Sequence, residues 1–251
     1  MLTPMLIPGI WKGGLQMYKA IILLSGGLDS TVLLNHLVTQ EIYPVDNIMA
    51  LTLYYGQKHK REIEAAKDVC NHLGIKNHII KELPMIFSGY GSTLVDDDKP
   101  NVELTYEEAQ KISDISPAYV PFRNGNLLAA ATTISLVQKA DHLFFATHKG
   151  DTGIEGGYVY PDCTYEFNKA MTEAICFGTN DKVKLFVPFQ FMTKAEIVKI
   201  GIRDNAPFHL TWSCYNGREH QCGKCSTCLE RINAFTENNE IDPVIYMTDI
   251  R

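Results

Sequence analysis

Short apolar runs alternate with helical stretches along most of the chain, and this alternation constrains the fold more than any other feature. Residues 20–24 are unbroken apolar sequence, too short for an ordinary helix and followed at once by turn residues. Residues 48–55 form a second run that closes on Tyr54 and Tyr55, and the segments at 77–83, 142–147 and 183–189 read as further strands. Helical periods lie between and after them, at 29–39, 58–73, 127–140, 166–177 and 193–200. In 58–73, Ile63, Ala66, Cys70 and Leu73 recur on one face, and Gly74 follows where a helix-ending glycine belongs. Strands that alternate with helices pair in parallel through right-handed crossovers. The expected class is therefore α/β, a parallel five-stranded sheet with helices on both faces.

The pattern fails at 84–126 and at 149–161. The first stretch holds Gly89, Gly91, the run Asp96-Asp97-Asp98 and four prolines, Pro84, Pro100, Pro117 and Pro121. A short helix is expected at 105–112, where Thr105 and Glu108 form a capping box. Long connections at the carboxyl ends of parallel strands commonly build binding sites. With 251 residues, 45% of them hydrophobic, the chain can bury one sizeable core. It lacks an apolar run long enough to span a membrane. A formal net charge of −6 disfavours wrapping bulk nucleic acid, so a small-molecule substrate is expected. Residues 1–16 carry one charge, Lys12, and lack the basic region and apolar core of a signal peptide; they read as an N-terminal extension.

Ser25-Gly26-Gly27-Leu28-Asp29-Ser30 lies directly after the first strand and directly before its helix. Paired glycines let the backbone turn tightly and approach a ligand without a Cβ in the way. The helix start then offers unpaired N–H groups and a positive dipole end to an anion. Hydroxyls of Ser25, Ser30 and Thr31 add donors, and a nucleotide's phosphates are the natural guest. A simpler reading, a turn capped by Asp29 or Ser30, explains less of the hexapeptide. Neither G-x-x-x-x-G-K-[ST] nor G-x-G-x-x-G occurs, which argues against P-loop phosphoryl transfer and a dinucleotide site.

Cys214, Cys222, Cys225 and Cys228 fall within fifteen residues, whereas Cys70, Cys163 and Cys176 are scattered. An odd total of seven argues against a disulfide framework, and the quartet argues for a metal in a reducing compartment. Four thiolates suit a tetrahedral Zn²⁺ with no open position, so the metal is expected to be structural. Arg218, Lys224 and Arg231 stand nearby to offset its excess negative charge, and His209 and His220 are substitute ligands in principle.

The hexapeptide resembles the pyrophosphate loop of the N-type ATP pyrophosphatases, whose fold is the adenine nucleotide alpha hydrolase-like sheet. Further segments narrow the resemblance: Tyr55-Gly56-Gln57-Lys58-His59, Val120-Pro121-Phe122-Arg123-Asn124, Tyr160-Pro161-Asp162-Cys163, Thr193-Lys194-Ala195-Glu196 and Thr211-Trp212-Ser213-Cys214. In that order they resemble the 7-cyano-7-deazaguanine synthase family of queuosine biosynthesis, from about residue 18 to about 238. The resemblance implies an ATP pyrophosphatase domain at 17–206 and a small C-terminal zinc-binding segment at 207–251. It implies a C–N bond-forming ligase that turns 7-carboxy-7-deazaguanine and ammonia into the nitrile. The carboxylate is adenylated and displaced by ammonia, and the resulting amide is adenylated in turn, with AMP released. It also implies Mg²⁺ with ATP, a homodimer and a cytoplasmic location.

Carried over residue by residue, Leu24, Ser25, Gly26, Gly27, Leu28, Asp29, Ser30, Thr31, Val32, Leu33 and Leu34 form the ATP-binding stretch, with Asp29 orienting the loop or helping to hold Mg²⁺. Arg123, Lys149 and Lys194 are the catalytic candidates. Tyr55, Arg123, Asn124, Asp151, Tyr160, Asp162, Glu196 and Trp212 are the substrate candidates, although Thr193-x-x-Glu196 is equally a capping box. Three competing readings stand beside this one. A related enzyme stops at the amide, a tRNA-thiolating enzyme uses Cys163 as sulfur carrier, and a zinc ribbon binds nucleic acid.

Overall fold

The computed structural model describes residues 19–58, 60–83, 86–96, 98–99, 115–152 and 160–247. The expected extension 1–16, the helix at 105–112, His59, Asp97 and most of the glycine-rich stretch at 153–157 lie outside them.

Five parallel strands form one sheet: β1 Ala20–Leu23, β2 Ile48–Tyr54, β3 Asn77–Glu82, β4 His142–Phe144 and β5 Lys184–Phe186, in the order β3-β2-β1-β4-β5. The helices are α1 Leu28–Thr39, α2 Arg61–His72, α3 Arg123–Gln138, α4 Tyr165–Gly178, α5 Lys194–Arg203 and α6 Ser226–Glu237. The pleat sends alternate residues of β1 to opposite faces. Ala20 and Ile22 join a core with Val32 and Leu33 of α1, Ala66 and Val69 of α2, Ile197 of α5 and Phe235 of α6. Ile21 and Leu23 join the other, with Leu128 and Ala131 of α3 and Ile175 of α4. Both faces of β1 are therefore covered, which is why it reads as a continuous apolar run, whereas the edge strand β3 is largely exposed.

Helix ends follow the sequence signals. Gly74, at φ +70°, ends α2, and the N–H of Ile75 donates to the carbonyl of Cys70 at 2.9 Å. Thr193 and Glu196 make the expected capping box on α5. Neither Asp29 nor Ser30 caps α1, because Gly27 occupies that position with no side-chain cap. The strands β4 and β5 are shorter than their apolar runs. Pairing of β1 with β4 stops at Ile22 and Phe144, whereas Leu24 still donates to Leu51 across β2. Chain direction across the sheet reverses between β1 and β4, and a crevice opens beyond their carboxyl ends.

The helix α6 has no counterpart among the periodic segments. It packs on α5, places Ala234 and Phe235 in the main core, and accepts an anchor from Asn238, whose Nδ2 donates to Ala195 O at 2.9 Å. The described part of the C-terminal segment, 207–247, thus shares its core with the sheet. Among the described residues no helix is long and apolar enough to cross a membrane.

Candidate active site

The crevice between β1 and β4 is a cleft of about 240 Å³, floored by the 25–30 loop. Ser25 and Ser30 brace that loop: their hydroxyls lie 3.1 Å apart, Ser25 Oγ accepts from Gly27 N–H at 3.1 Å, and Ser30 Oγ accepts from Ser25 N–H at 3.2 Å. With no side chain capping α1, its first-turn N–H groups remain for an anion. Gly26 adopts φ +84° and backs onto the first turn of α2. A Cβ there would sit 2.2 Å from the carbonyl oxygen of Glu62 and 2.7 Å from the nitrogen of Ala66. Gly26→Ala is therefore expected to cost roughly 2–5 kcal/mol, from left-handed strain plus overpacking. A urea midpoint within error of the unaltered protein would contradict this account.

Of the 24–34 stretch, Leu24, Ser25, Gly27, Leu28, Asp29 and Ser30 line the cleft, whereas Thr31, Val32, Leu33 and Leu34 are buried beneath it. Asp29 stands at the centre of a charged cluster. Lys194, from the first turn of α5, places Nζ 2.5 Å from Asp29 Oδ2 and 3.6 Å from Glu230 Oε2. His148 is buried, with Nε2 3.5 Å from Asp151 Oδ1, 3.8 Å from Glu230 Oε1 and 3.9 Å from Asp29 Oδ2. Its Nδ1 accepts from Gly150 N–H at 3.0 Å, which leaves Nε2 facing the carboxylates. Burial pushes the Asp29 carboxyl up, but Lys194 and His148 outweigh it and hold the pKa below the ordinary value. Burial likewise opposes the charge on Lys194, and Asp29, Glu230 and Asp151 reverse that, raising its pKa. One oxygen, Asp29 Oδ1, is buried without a hydrogen-bond partner.

The opposite wall is built around Arg123, at the start of α3. Its Nη1 donates to Tyr55 Oη at 3.1 Å and its guanidinium lies over the Tyr55 ring. Burial works against that charge, but Tyr55, Asp162 and Cys163 raise the pKa, so Arg123 stays a cation. Phe122, just before it, is held at φ +50°, a strained conformation for a bulky residue and one that clusters at functional sites. Asp162 is buried; its Oδ2 accepts from Asn124 N–H at 2.8 Å, and Asn124 Nδ2 donates back to the carbonyl of residue 162 at 3.0 Å. That carboxylate anchors the start of α3 rather than lining the cleft. Tyr160 and Tyr215 close the roof with their hydroxyls 2.8 Å apart, and burial pushes the Tyr160 phenol up to about 12.

Trp212 joins the loop to the cysteines: its backbone N–H donates to Gly26 O at 2.9 Å and its indole to Cys214 O at 2.8 Å. The four cysteines are buried, and their sulfur atoms all lie within 4.8 Å of one another. Cys222 Sγ and Cys228 Sγ are 3.9 Å apart. Tetrahedral Zn–S bonds near 2.3 Å require sulfurs about 3.8 Å apart. Backbone N–H groups of Asn216, Cys222 and Cys225 point at these sulfurs, a second shell that favours thiolates. The cluster could thus hold a metal ion such as zinc, without His209 or His220. Arg231 does not serve it as a counter-charge; its guanidinium is bonded to Asp242, at 2.6 and 2.9 Å.

The cleft therefore gathers Tyr55, Arg123, Asn124, Asp151, Tyr160, Lys194 and Trp212. Lys149 and Glu196 are exposed and lie outside its lining, and Glu196 is engaged in its cap. Glu62, His148, Tyr215 and Glu230 also line it and carry no short-range signature in the sequence.

Comparison with known proteins identifies the family. Residues 19–239 match the family model described as queuosine biosynthesis protein QueC. A relative from Hahella chejuensis, named 7-cyano-7-deazaguanine synthase, is 37% identical over 91% of this chain and 93% of its own. Relatives of the same name from Picrophilus torridus and Methanoregula boonei are 36% and 37% identical, over 92% and 91% of this chain and 92% and 99% of theirs. Among solved structures, the NH3-dependent NAD synthetase from Campylobacter jejuni is similar at 17% identity and a TM-score of 0.46, over 78% of this chain and 68% of its own. With a matching model over nearly its whole length and relatives at this identity, the chain belongs to the QueC family of queuosine biosynthesis proteins.

Proposed function

We propose that this enzyme converts 7-carboxy-7-deazaguanine and ammonia to 7-cyano-7-deazaguanine through two successive adenylations. Carboxylate and amide oxygens are poor leaving groups and AMP is a good one, so each stage begins by transferring AMP to oxygen. The observation that carries the reading is the pairing, in one cleft, of an uncapped helix start with a half-buried arginine on the opposite wall. The 25–30 loop takes the ATP phosphates on its backbone N–H groups. Arg123, a permanent cation at the start of α3, pairs with the substrate carboxylate. Lys194 stands over the loop and neutralises charge that develops on the phosphates. Tyr160, Tyr215 and Trp212 keep water from the acyl-adenylate. Asp162 positions Arg123 through Asn124.

Three carboxylates beside a polyphosphate would repel it unless a hard cation stood between them. The partnerless Asp29 Oδ1, with Asp151 and Glu230 close by, offers the oxygen donors that suit Mg²⁺. Mg²⁺ held there would neutralise phosphate charge. Zn²⁺ in the cysteine cluster serves structure alone, since all four positions are thiolates.

The sulfur-carrier reading of Cys163 is disfavoured by its surroundings. Burial, with Asp151 and Asp162 nearby, pushes its thiol well above the ordinary range and away from the nucleophilic thiolate. The test is incubation with 7-carboxy-7-deazaguanine, ammonia, ATP and Mg²⁺, with products resolved by mass. Nitrile with AMP and pyrophosphate is the expected outcome. Amide as the sole product limits the enzyme to the first stage, and ADP, or no turnover of this acid, overturns the proposal.

A further inference from the structure

Resting on the two-stage reading above, we propose that Glu62 is the general base of the reaction, taking the protons that nitrogen must lose. Both stages release protons at nitrogen. When ammonia attacks the acyl-adenylate, the new C–N bond leaves nitrogen positively charged; one N–H proton departs, and the C–O bond breaks with its electron pair going to AMP. In the second stage the amide oxygen attacks the α-phosphorus of ATP and pyrophosphate leaves. The resulting cation, with its NH2 group, sheds two protons in succession as the C–O bond to AMP breaks and the triple bond forms. A cleft built for this chemistry needs a carboxylate or imidazole close to the reacting carbon and not locked in a direct ion pair.

Glu62 meets those conditions. It sits in the first turn of α2, where its own carbonyl backs the glycine loop, and its side chain lines the cleft with Arg123. If Arg123 holds the substrate carboxylate, the reacting carbon lies at the Glu62 end of the cleft. Its orientation is set by Gln57. The Gln57 Oε1 accepts from Tyr55 N–H at 2.9 Å, which turns the amide nitrogen toward the Glu62 carboxyl as donor.

The other cleft carboxylates have other partners. Asp29 and Glu230 face Lys194, Asp151 faces His148, and Asp162 accepts from the start of α3. The groups that act on Glu62 from the elements around it are Arg123, Tyr55 and the neutral Gln57. Burial pushes its carboxyl up, and Arg123 and Gln57 only partly offset this, so its pKa lies above the ordinary value. A raised carboxyl pKa makes a stronger base near neutral pH, and the working, ionised form is lost as pH falls through that pKa.

Glu62→Gln keeps the Gln57 contact by turning its amide and removes only the basic oxygen. The decisive readouts separate adenylation from proton removal. One is pyrophosphate exchange into ATP driven by 7-carboxy-7-deazaguanine. The other is nitrile formation from the supplied amide, followed against pH and alongside the melting temperature. Exchange in E62Q is expected to stay within about 3-fold of the unaltered protein while nitrile formation falls roughly 10²–10⁴-fold and its acidic limb disappears. Glu62→Asp should restore part of the rate with a displaced acidic limb. Nitrile formation by E62Q within about 3-fold of normal overturns the role, as does exchange that falls as far as turnover. Absence of acid-driven exchange in the unaltered protein overturns the functional reading itself, and the role with it.

Discussion

Removal of metal from the four-cysteine cluster is expected to abolish turnover and to unfold the C-terminal part of the chain. The purified protein should carry about one equivalent of zinc, as a closed four-thiolate site implies. Apparent binding free energies for such sites are about 10–16 kcal/mol, and that energy is folding energy. The consequence reaches the cleft because α6 is shared. Cys228 points into the cluster, while Thr227 and Glu230 of the same helix line the cleft. Trp212, bonded to Cys214 O, also holds the carbonyl of Gly26. Loss of the cluster therefore frees both the Glu230 carboxylate and one support of the 25–30 loop. Cys225→Ser, whose sulfur is fully buried, should reproduce the effect of a chelator. Metal analysis together with tryptophan fluorescence and turnover checks this, and a metal-free protein with unchanged melting and activity would falsify it.

Arg231→Met is expected to lower stability by about 3–5 kcal/mol, the cost of leaving one member of a buried ion pair alone. Arg231 is 1% exposed, and besides Asp242 its guanidinium donates to Thr211 Oγ1 and Phe208 O. It ties the 241–247 strap, in which Asp242 also accepts from Tyr246 Oη, to the 208–213 turn beside the 25–30 loop. The abandoned Asp242 carboxylate, almost unexposed, would retain only Tyr246 and the N–H of Val244. For a chain of this size the loss amounts to a fall of roughly 6–20 °C in melting temperature. Asp242→Leu added to Arg231→Met should recover much of it, because a buried pair replaced whole by apolar groups costs little. Thermal melts of the single and double variants decide the matter. A single variant within about 1 kcal/mol of the parent, the scale of an exposed pair, would remove the argument.

Both effects depend on a helix that periodicity did not reveal. The segment 226–237 opens Ser-Thr-Cys, a start that reads as part of the cysteine turn. Its core contacts, Ala234 and Phe235, find partners such as Phe208 and Ile197 only once the chain has closed on itself. The assignments of Asp162 and Glu196 show the same limit in reverse. Each belongs to a motif that suggests contact with substrate. Asp162 is turned instead to the start of α3, and Glu196 to the cap of α5.

The sequence by itself determined the parallel α/β class, the glycine loop between β1 and α1, and the four-cysteine cluster. Each is written in neighbouring residues: a glycine pair between a strand and a helix, cysteines at two-residue spacing, apolar runs of strand length. Local backbone geometry is enough to produce all three. Tertiary structure alone decided which charges meet. Lys194 and Asp29 are 165 residues apart in the chain and form one ion pair. His148 and Glu230 join them from two further elements, and Glu62 faces the opposite wall with Arg123. A polar side chain gives no local sign of its partner. What brings such groups together is burial of apolar faces on both sides of the sheet, which fixes where the strands end and hence what surrounds the cleft.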